Sequence, residues 1–287
     1  MTEWNYLQVV LSNGDLDRVS GEFWLLGTQG IEETSLGGDQ VQLRAYFDGR
    51  SDIRKLADQF QSFCREAGIE LFTLQVRIEK DQDWAKRFNQ QLKPFRVGKR
   101  IYILPSHDKT HVPSSRVPIR IGPGMAFGTG THETTQLCLE QLETHLKSGG
   151  TVIDVGTGSG ILAIAAVRLG AARAIGFDID PVAIEVAQAN VRRNRCQSRV
   201  QLIEGEVTVR RSVRCDLLVA NLTFELLDEK IADFSRLLLP DGVMILSGIL
   251  VAQAAQLLDK HPVLAQHLQV RKQKGEWSCL VVHSPLK

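Results

Sequence analysis

The stretch TVIDVGTGSGILAIAAVRLGAARAIGFDID, Thr151 to Asp180, reads as an apolar strand, a glycine turn, an apolar helix and a second strand that ends in acids. Continuous apolar strands alternating with helices are the pattern of a parallel sheet covered on both faces, because neither face of such a strand meets water. Outward from this core, PVAIEVAQANVRRN supplies the next helix, and RVQLIEG, CDLLVANL, GVMILSGIL, LQVRKQ and EWSCLVVHS supply further strands. The last two are separated only by the tight KGEW junction, which predicts a closing hairpin and one antiparallel strand in an otherwise parallel sheet.

Within IDVGTGSG, Asp154 stands at the end of a strand and Gly156, Gly158 and Gly160 follow at alternate positions. Such glycines serve a tight turn, a close approach of ligand to backbone, and helix–strand contact. Asp178 closes the next strand, 22 residues after Gly156, where a carboxylate accepts the two hydroxyls of a ribose. Together these residues predict a nucleoside ligand at the carboxyl edge of the sheet. A dinucleotide site normally carries GxGxxG and holds a pyrophosphate, which Asp154 would repel. A cationic ligand is welcome there, so the order favours S-adenosylmethionine, with its amino group and sulfonium, over a nicotinamide cofactor. Asp180 precedes Pro181 and reads as a helix cap.

Upstream, GPGMAFGTGTHETT (122–135) is a glycine-rich loop feeding a helix whose first turn holds Thr134 and Thr135. Such a junction either receives a polar ligand or is an interdomain connection with ordinary threonine capping. Downstream, VANLTF (219–224) ends the fourth strand, so Asn221 emerges at the same edge as Gly156 and Asp178. Its side-chain oxygen suits an amine acceptor, and Phe224 would wall the acceptor's other side. His132 lies in the upstream loop as a structural or solvent-facing histidine, and no general base stands out.

The first part of the chain alternates strands (6–12, 40–47, 71–79) with helices (15–26, 51–67) and predicts an α+β sandwich. The helix over 51–67 presents Ile53, Leu56, Phe60 and Phe63 as one stripe and stops at Gly68. Pro94, Pro105, Pro113, Pro118 and Pro123 crowd one segment, which predicts a linker over 94–115 between domains at 1–93 and 116–287. Splitting the 287 residues at 115 gives 15 basic against 16 acidic residues before it and 19 against 17 after it, so neither half is a polycation. Direct, sequence-specific nucleic-acid binding is not expected, and the local Lys93, Arg96, Lys99, Arg100 group reads as a solvated face. The five cysteines lack CxxC spacing, which excludes the usual zinc and redox motifs and fits reduced thiols in the cytoplasm. No metal site and no membrane segment is expected.

Four stretches, PGMAFGTGTHETT, VIDVGTGSGILAIAAVRLGA, GFDIDPVAIEVAQANVRRN and VANL, with a looser echo in DQDWAKRFNQQLKPFRVGKRIYILPS, make the chain resemble the ribosomal protein L11 methyltransferase (PrmA) family. The resemblance spans nearly the whole chain. A GTGTH block ahead of the glycine loop is its most specific element. It implies a class I, Rossmann-like methyltransferase domain with a mostly parallel seven-stranded sheet, preceded by an α+β, ferredoxin-like substrate-recognition domain. By matching positions it implies cofactor contacts from Thr135, Gly156, Asp178 and Asn221, which Asp154, Gly158 and Gly160 join on the glycine-loop reading, with Asn221 and Phe224 positioning the amine on the strand-end reading. The implied reaction is S-adenosylmethionine-dependent methylation of lysine or N-terminal amines of ribosomal protein L11, free or on the large ribosomal subunit. Glu133 stands where proline is common and NLTF where NIL is frequent, both on the acceptor side. The same fold would serve methylation of another protein or a small amine, an NAD-binding oxidoreductase, or a non-catalytic ribosome-binding module.

Overall fold

Alternation of apolar and polar residues in the first part of the chain builds a sheet with one covered face. The computed structural model describes residues 3–28, 30–48, 51–80, 93–122, 128–207 and 213–284. It divides into two compact units, Met1–Gln90 and Gln91–Lys287. In the first, β1 (Glu3–Ser12), α1 (Leu16–Leu25), β2 (Gly30–Gly37), β3 (Gln40–Asp48), α2 (Ile53–Ala67) and β4 (Leu71–Lys80) follow in that order. The four strands pair antiparallel in the order β2-β3-β1-β4, the ferredoxin-like arrangement. Leu7, Val9, Leu11, Val41, Leu43, Ala45 and Phe47 form the covered face. Phe23 of α1 and Phe60 of α2 stack above it with ring centroids 4.4 Å apart. The buried stripe of α2 is Ile53, Ala57, Phe60 and Cys64, so the expected stripe is rotated: Leu56 and Phe63 are only partly buried at its border. Asp52 caps the helix by accepting from the Lys55 amide at 3.2 Å, and Gly68 ends it with φ +67°.

The second unit opens with β5 (Phe95–Val97), β6 (Ile101–Pro105) and β7 (Val117–Ile121), a three-stranded sheet in the order β5-β6-β7. This corrects the expected linker over 94–115, which contains two of these strands and falls wholly inside the second unit. The prolines mislead because they sit where strands tolerate them: Pro94 just before β5, Pro105 as the last residue of β6, and Pro118 in the edge strand β7. There follow α3 (Glu133–His145), β8 (Thr151–Val155), α4 (Ile161–Leu169), β9 (Arg173–Asp178), α5 (Pro181–Arg193), β10 (Val200–Glu204), β11 (Cys215–Asn221), α6 (Phe224–Leu237), β12 (Leu238–Leu250), α7 (Val251–Lys260), α8 (Pro262–Gln266), β13 (Leu268–Lys274) and β14 (Trp277–His283). The seven-stranded sheet runs β10-β9-β8-β11-β12-β14-β13, and β14 alone runs against the others.

The chain winds from β8 outward to β10, then returns to β11 beside β8 and winds the other way. Ligands of open α/β sheets lie at such a reversal, outside the carboxyl ends of the strands. Gly156 follows β8, Asn221 ends β11 and Asp178 ends the neighbouring β9, so the topology gathers all three at one edge. Residues Ile161 to Val167 of α4 are all buried, as an apolar helix over such a sheet requires. All five cysteines are free and buried.

Candidate active site

The loop after β8 is held by backbone geometry. Gly156, Gly158 and Gly160 have φ of +68°, +52° and +80°, a region that disfavours any residue with a Cβ. Beneath them Asp154 is completely buried. Its Oδ2 accepts from the Thr157 hydroxyl at 2.7 Å and from the Ala163 amide at 3.1 Å, so it clasps the loop to the first turn of α4. Its Oδ1 has no partner among the described residues. Burial pushes the carboxyl up to about 6, against the opposing pull of those two hydrogen bonds, and nearby Asp178 pushes it further the same way. A mostly ionised, dry carboxylate with one unpartnered oxygen favours a cationic ligand and disfavours a phosphate.

Asp178 is partly exposed. Its Oδ2 accepts from the Gly158 amide at 2.8 Å and its Oδ1 from the Asp180 amide at 3.1 Å. Each oxygen retains a second lone pair, so the group fits a vicinal diol while it fixes the glycine loop. Asp180 caps α5 by accepting from the Val182 amide at 2.8 Å, as read from the sequence.

The GTGTH block packs on this loop. The Ser159 hydroxyl donates to the Gly128 carbonyl at 2.5 Å, and a Cβ at Gly130 would lie 3.0 Å from the Ile161 side chain. His132 is the cap of α3: its Nδ1 faces the Thr134 amide at 3.3 Å and the Thr134 hydroxyl at 2.7 Å, and its ring lies edge-on to Trp277 at 4.9 Å. The expected segment Pro123 to Phe127 lies outside the described residues, as does all of DQDWAKRFNQQ.

Thr135 is buried in the first turn of α3 and its Oγ1 receives the Asn221 Nδ2 at 3.5 Å, a weak bond that nevertheless brings these two expected residues together. Between Asn221 and the glycine loop, the Leu222 side chain would lie 2.5 Å from a Cβ at Gly156. Phe224 opens α6 three residues after Asn221; it is buried with Leu227 and Ile231, and Lys260 Nζ lies over its ring at 5.3 Å.

Three further residues escaped the sequence reading. Asn190, fully buried, accepts from the Gly122 amide at 2.9 Å and donates to the Ser159 carbonyl at 2.9 Å, tying the glycine loop to the end of β7. Asn194 accepts from the Arg120 amide at 2.8 Å and donates to the Arg120 carbonyl at 2.7 Å, an imitation of a neighbouring peptide unit. The signal for Asn190 was available, since it is a polar residue on the stripe with Ile184 and Ala187. Gly248, φ +89°, packs directly on the Leu222 backbone and had no such signal.

The sequence profile of the ribosomal protein L11 methyltransferase (PrmA) family matches residues 14–285. The chain belongs to this family. The L11 methyltransferase of Pelotomaculum thermopropionicum is 39% identical, over 71% of this chain and 67% of its own. That of Clostridium botulinum strain Eklund 17B is 31% identical over 97% of each. The crystal structure of the ribosomal protein L11 methylase of Lactobacillus delbrueckii subsp. bulgaricus superposes with a TM-score of 0.61 at 32% identity, covering 67% of this chain and 98% of that one. Membership makes this chain an S-adenosylmethionine-dependent methyltransferase, which resolves the choice of cofactor left open by the glycine spacing. The buried orphan oxygen of Asp154 and the two spare lone pairs of Asp178 fit that cofactor's charge and ribose.

Proposed function

We propose that this L11 methyltransferase family member methylates lysine and N-terminal amines of ribosomal protein L11, free or on the large ribosomal subunit, in the cytoplasm. The observation that carries this is the Clostridium botulinum relative, because its 97% coverage of each chain takes in the first unit as well as the methyltransferase unit. In this reading residues 1–93 recognise the protein substrate. Among the described residues, no helix is long and apolar enough to cross a membrane.

Bound S-adenosylmethionine supplies an electrophilic methyl group on a sulfonium. Gly156, Gly158, Gly160 and Asp178 hold the nucleoside, and the negative charge of Asp154 favours the cationic end. Asn221 has the right atom for the acceptor: Nδ2 faces Thr135 at 3.5 Å, while Oδ1 has no donor among the described residues. That oxygen accepts an N–H of a neutral amine and leaves the lone pair free for transfer. A lysine amine, ordinarily near pKa about 10.4, must first lose a proton to water, which the apolar Leu222 side chain beside Gly156 favours by disfavouring charge. Phe224, the first residue of α6, would wall the acceptor's other side. Most of the rate gain in such a displacement comes from orientation and exclusion of water.

The test is incubation of the full chain with labelled S-adenosylmethionine and purified L11, followed by peptide mapping. Label on lysine side chains or the N-terminal amine is expected. Label that appears only on a different protein in cell extract would overturn the substrate assignment while leaving the chemistry intact.

A further inference from the structure

The edge of the large sheet opposite the cofactor carries a concentration of arginine that methyl transfer does not use. Arg168 lies in the last turn of α4, Arg173 begins β9, Arg192 and Arg193 end α5, Arg195 follows that helix in the left-handed region with φ +55°, and Arg199 precedes β10. All six are exposed, though one N–H of Arg193 is taken by Asn190 Oδ1 at 3.0 Å. The elements bring them to one corner: the Arg199 guanidinium donates to the Val167 carbonyl at 3.0 Å, and the Arg199 carbonyl accepts from the Ala174 amide at 2.8 Å. From Pro181 to Val200 the only carboxylate is Glu185. Among the described residues none of the six has an ion-pair partner. The chain as a whole has a net charge of only +1, so this corner is a local asymmetry.

Cations at helix C-termini answer the helix dipole and cap carbonyls, and Arg199 does so for α4. Two helix ends do not require six arginines, and Arg192 beside Arg193 works against the charge of its neighbour. Every cation in the corner is arginine, whose planar fork meets phosphate oxygens in pairs. Arg173 and Arg199 are each anchored by one N–H, to the Thr151 hydroxyl at 3.1 Å and to Val167, which orients the fork and leaves its other donors outward.

We propose that this arginine corner is a docking surface for the phosphate backbone of RNA, remote from the cofactor edge and indifferent to base sequence. The choice of RNA over other polyanions rests on the reading of the substrate as a ribosomal protein, whose surroundings on the ribosome are RNA. Backbone binding of this kind releases counterions, so affinity falls with salt in proportion to the phosphates neutralised.

The experiment measures fluorescence anisotropy of a labelled, mixed-sequence single-stranded RNA with the full chain across a salt series. The comparison protein carries Arg168→Gln, Arg192→Gln and Arg195→Asn, the last because asparagine tolerates a left-handed backbone. With about 0.7 of slope per phosphate on single strands, the logarithmic salt dependence should flatten from about −4 to about −2. The thermal midpoint and methyl transfer to free ribosomal protein should match the parent, and that second readout tests the substrate reading separately. Absence of salt-dependent binding by the parent would overturn the proposal, as would an unchanged slope in the triple variant. Competition by poly-glutamate as effective as by RNA of equal charge would reassign the corner to an acidic protein and also overturn it.

Discussion

Two loops leave neighbouring strands at the same edge, and they are built on different principles. The loop after β8 is fixed by its own backbone: three glycines in the left-handed region, a buried acid clasping it from below, and Asp178 receiving its Gly158 amide. The loop after β11 has few polar ties of its own. Asn221 reaches Thr135 at 3.5 Å, the Leu222 amide donates to the Ser247 carbonyl at 3.0 Å, and the rest is Leu222 seated against Gly156 and Gly248. In the proposed function the first is the cofactor side, which is preformed, and the second the acceptor side, which is held mainly by shape. An invariant ligand suits the first construction, and a protein substrate that brings its own surface suits the second.

Substitutions that strike these two constructions should separate them. The largest effect is expected at Gly248, where a Cβ would overlap the Leu222 carbonyl oxygen in a left-handed backbone, so nothing flexible is available to yield. Gly248→Ala should cost about 3 to 5 kcal/mol of stability, read from chemical denaturation. A cost under about 1 kcal/mol would show that the acceptor loop adapts more than its packing implies.

Asp154 makes the cost of the preformed side measurable. Its carboxyl titrates near 6 in the fold against about 3.9 unfolded, so the folded state holds the proton more tightly. Stability from this group is greatest below pH about 4 and falls by up to about 3 kcal/mol as pH rises through about 6. Asp154→Asn should lack that decline, so the variant gains on the parent across this interval while binding S-adenosylmethionine less tightly. Parallel denaturation curves at every pH would remove the buried charge from the account.

Asn221→Ala should lower single-turnover methyl transfer about 100-fold at saturating cofactor, because an orienting contact is lost. Full recovery at saturation would make Asn221 a binding residue and move it to the cofactor side of the comparison. Asp178→Ala should weaken cofactor binding by about 30- to 150-fold in calorimetry, through loss of charge-assisted diol contacts and of the clasp on Gly158. Unchanged affinity would remove it from the site. The smallest effect belongs to Gly156→Ala, about 1 to 2 kcal/mol, since the obstacle is the free end of the Leu222 side chain. If it proved as damaging as Gly248→Ala, the two loops would be equally rigid.

The same contrast governs what was legible beforehand. Gly156, Gly158, Gly160 and Asp178 announce themselves because a backbone requirement limits the residue type, and the apolar strands around them can be nothing but a covered sheet. Gly248 has an equally strict requirement, yet its partner Leu222 is distant in sequence, so no local pattern carries it. Phe224 is the harder residue to read, because a large aromatic at a strand exit serves a core as well as a site. The strand β2, GIEETSLG, went unread because an edge strand that buries none of its side chains has no alternation to detect. Prolines at strand ends and edges imitated a linker for a related reason: their cost vanishes wherever the ladder ends.

The bond from the Ser159 hydroxyl to the Gly128 carbonyl makes the glycine loop and the GTGTH block a single thermodynamic object. Whatever free energy a ligand contributes by ordering Ser159 is shared with Gly128, and coupling of this kind is reciprocal. Docking of the upstream block must therefore raise cofactor affinity by the same factor by which cofactor favours docking.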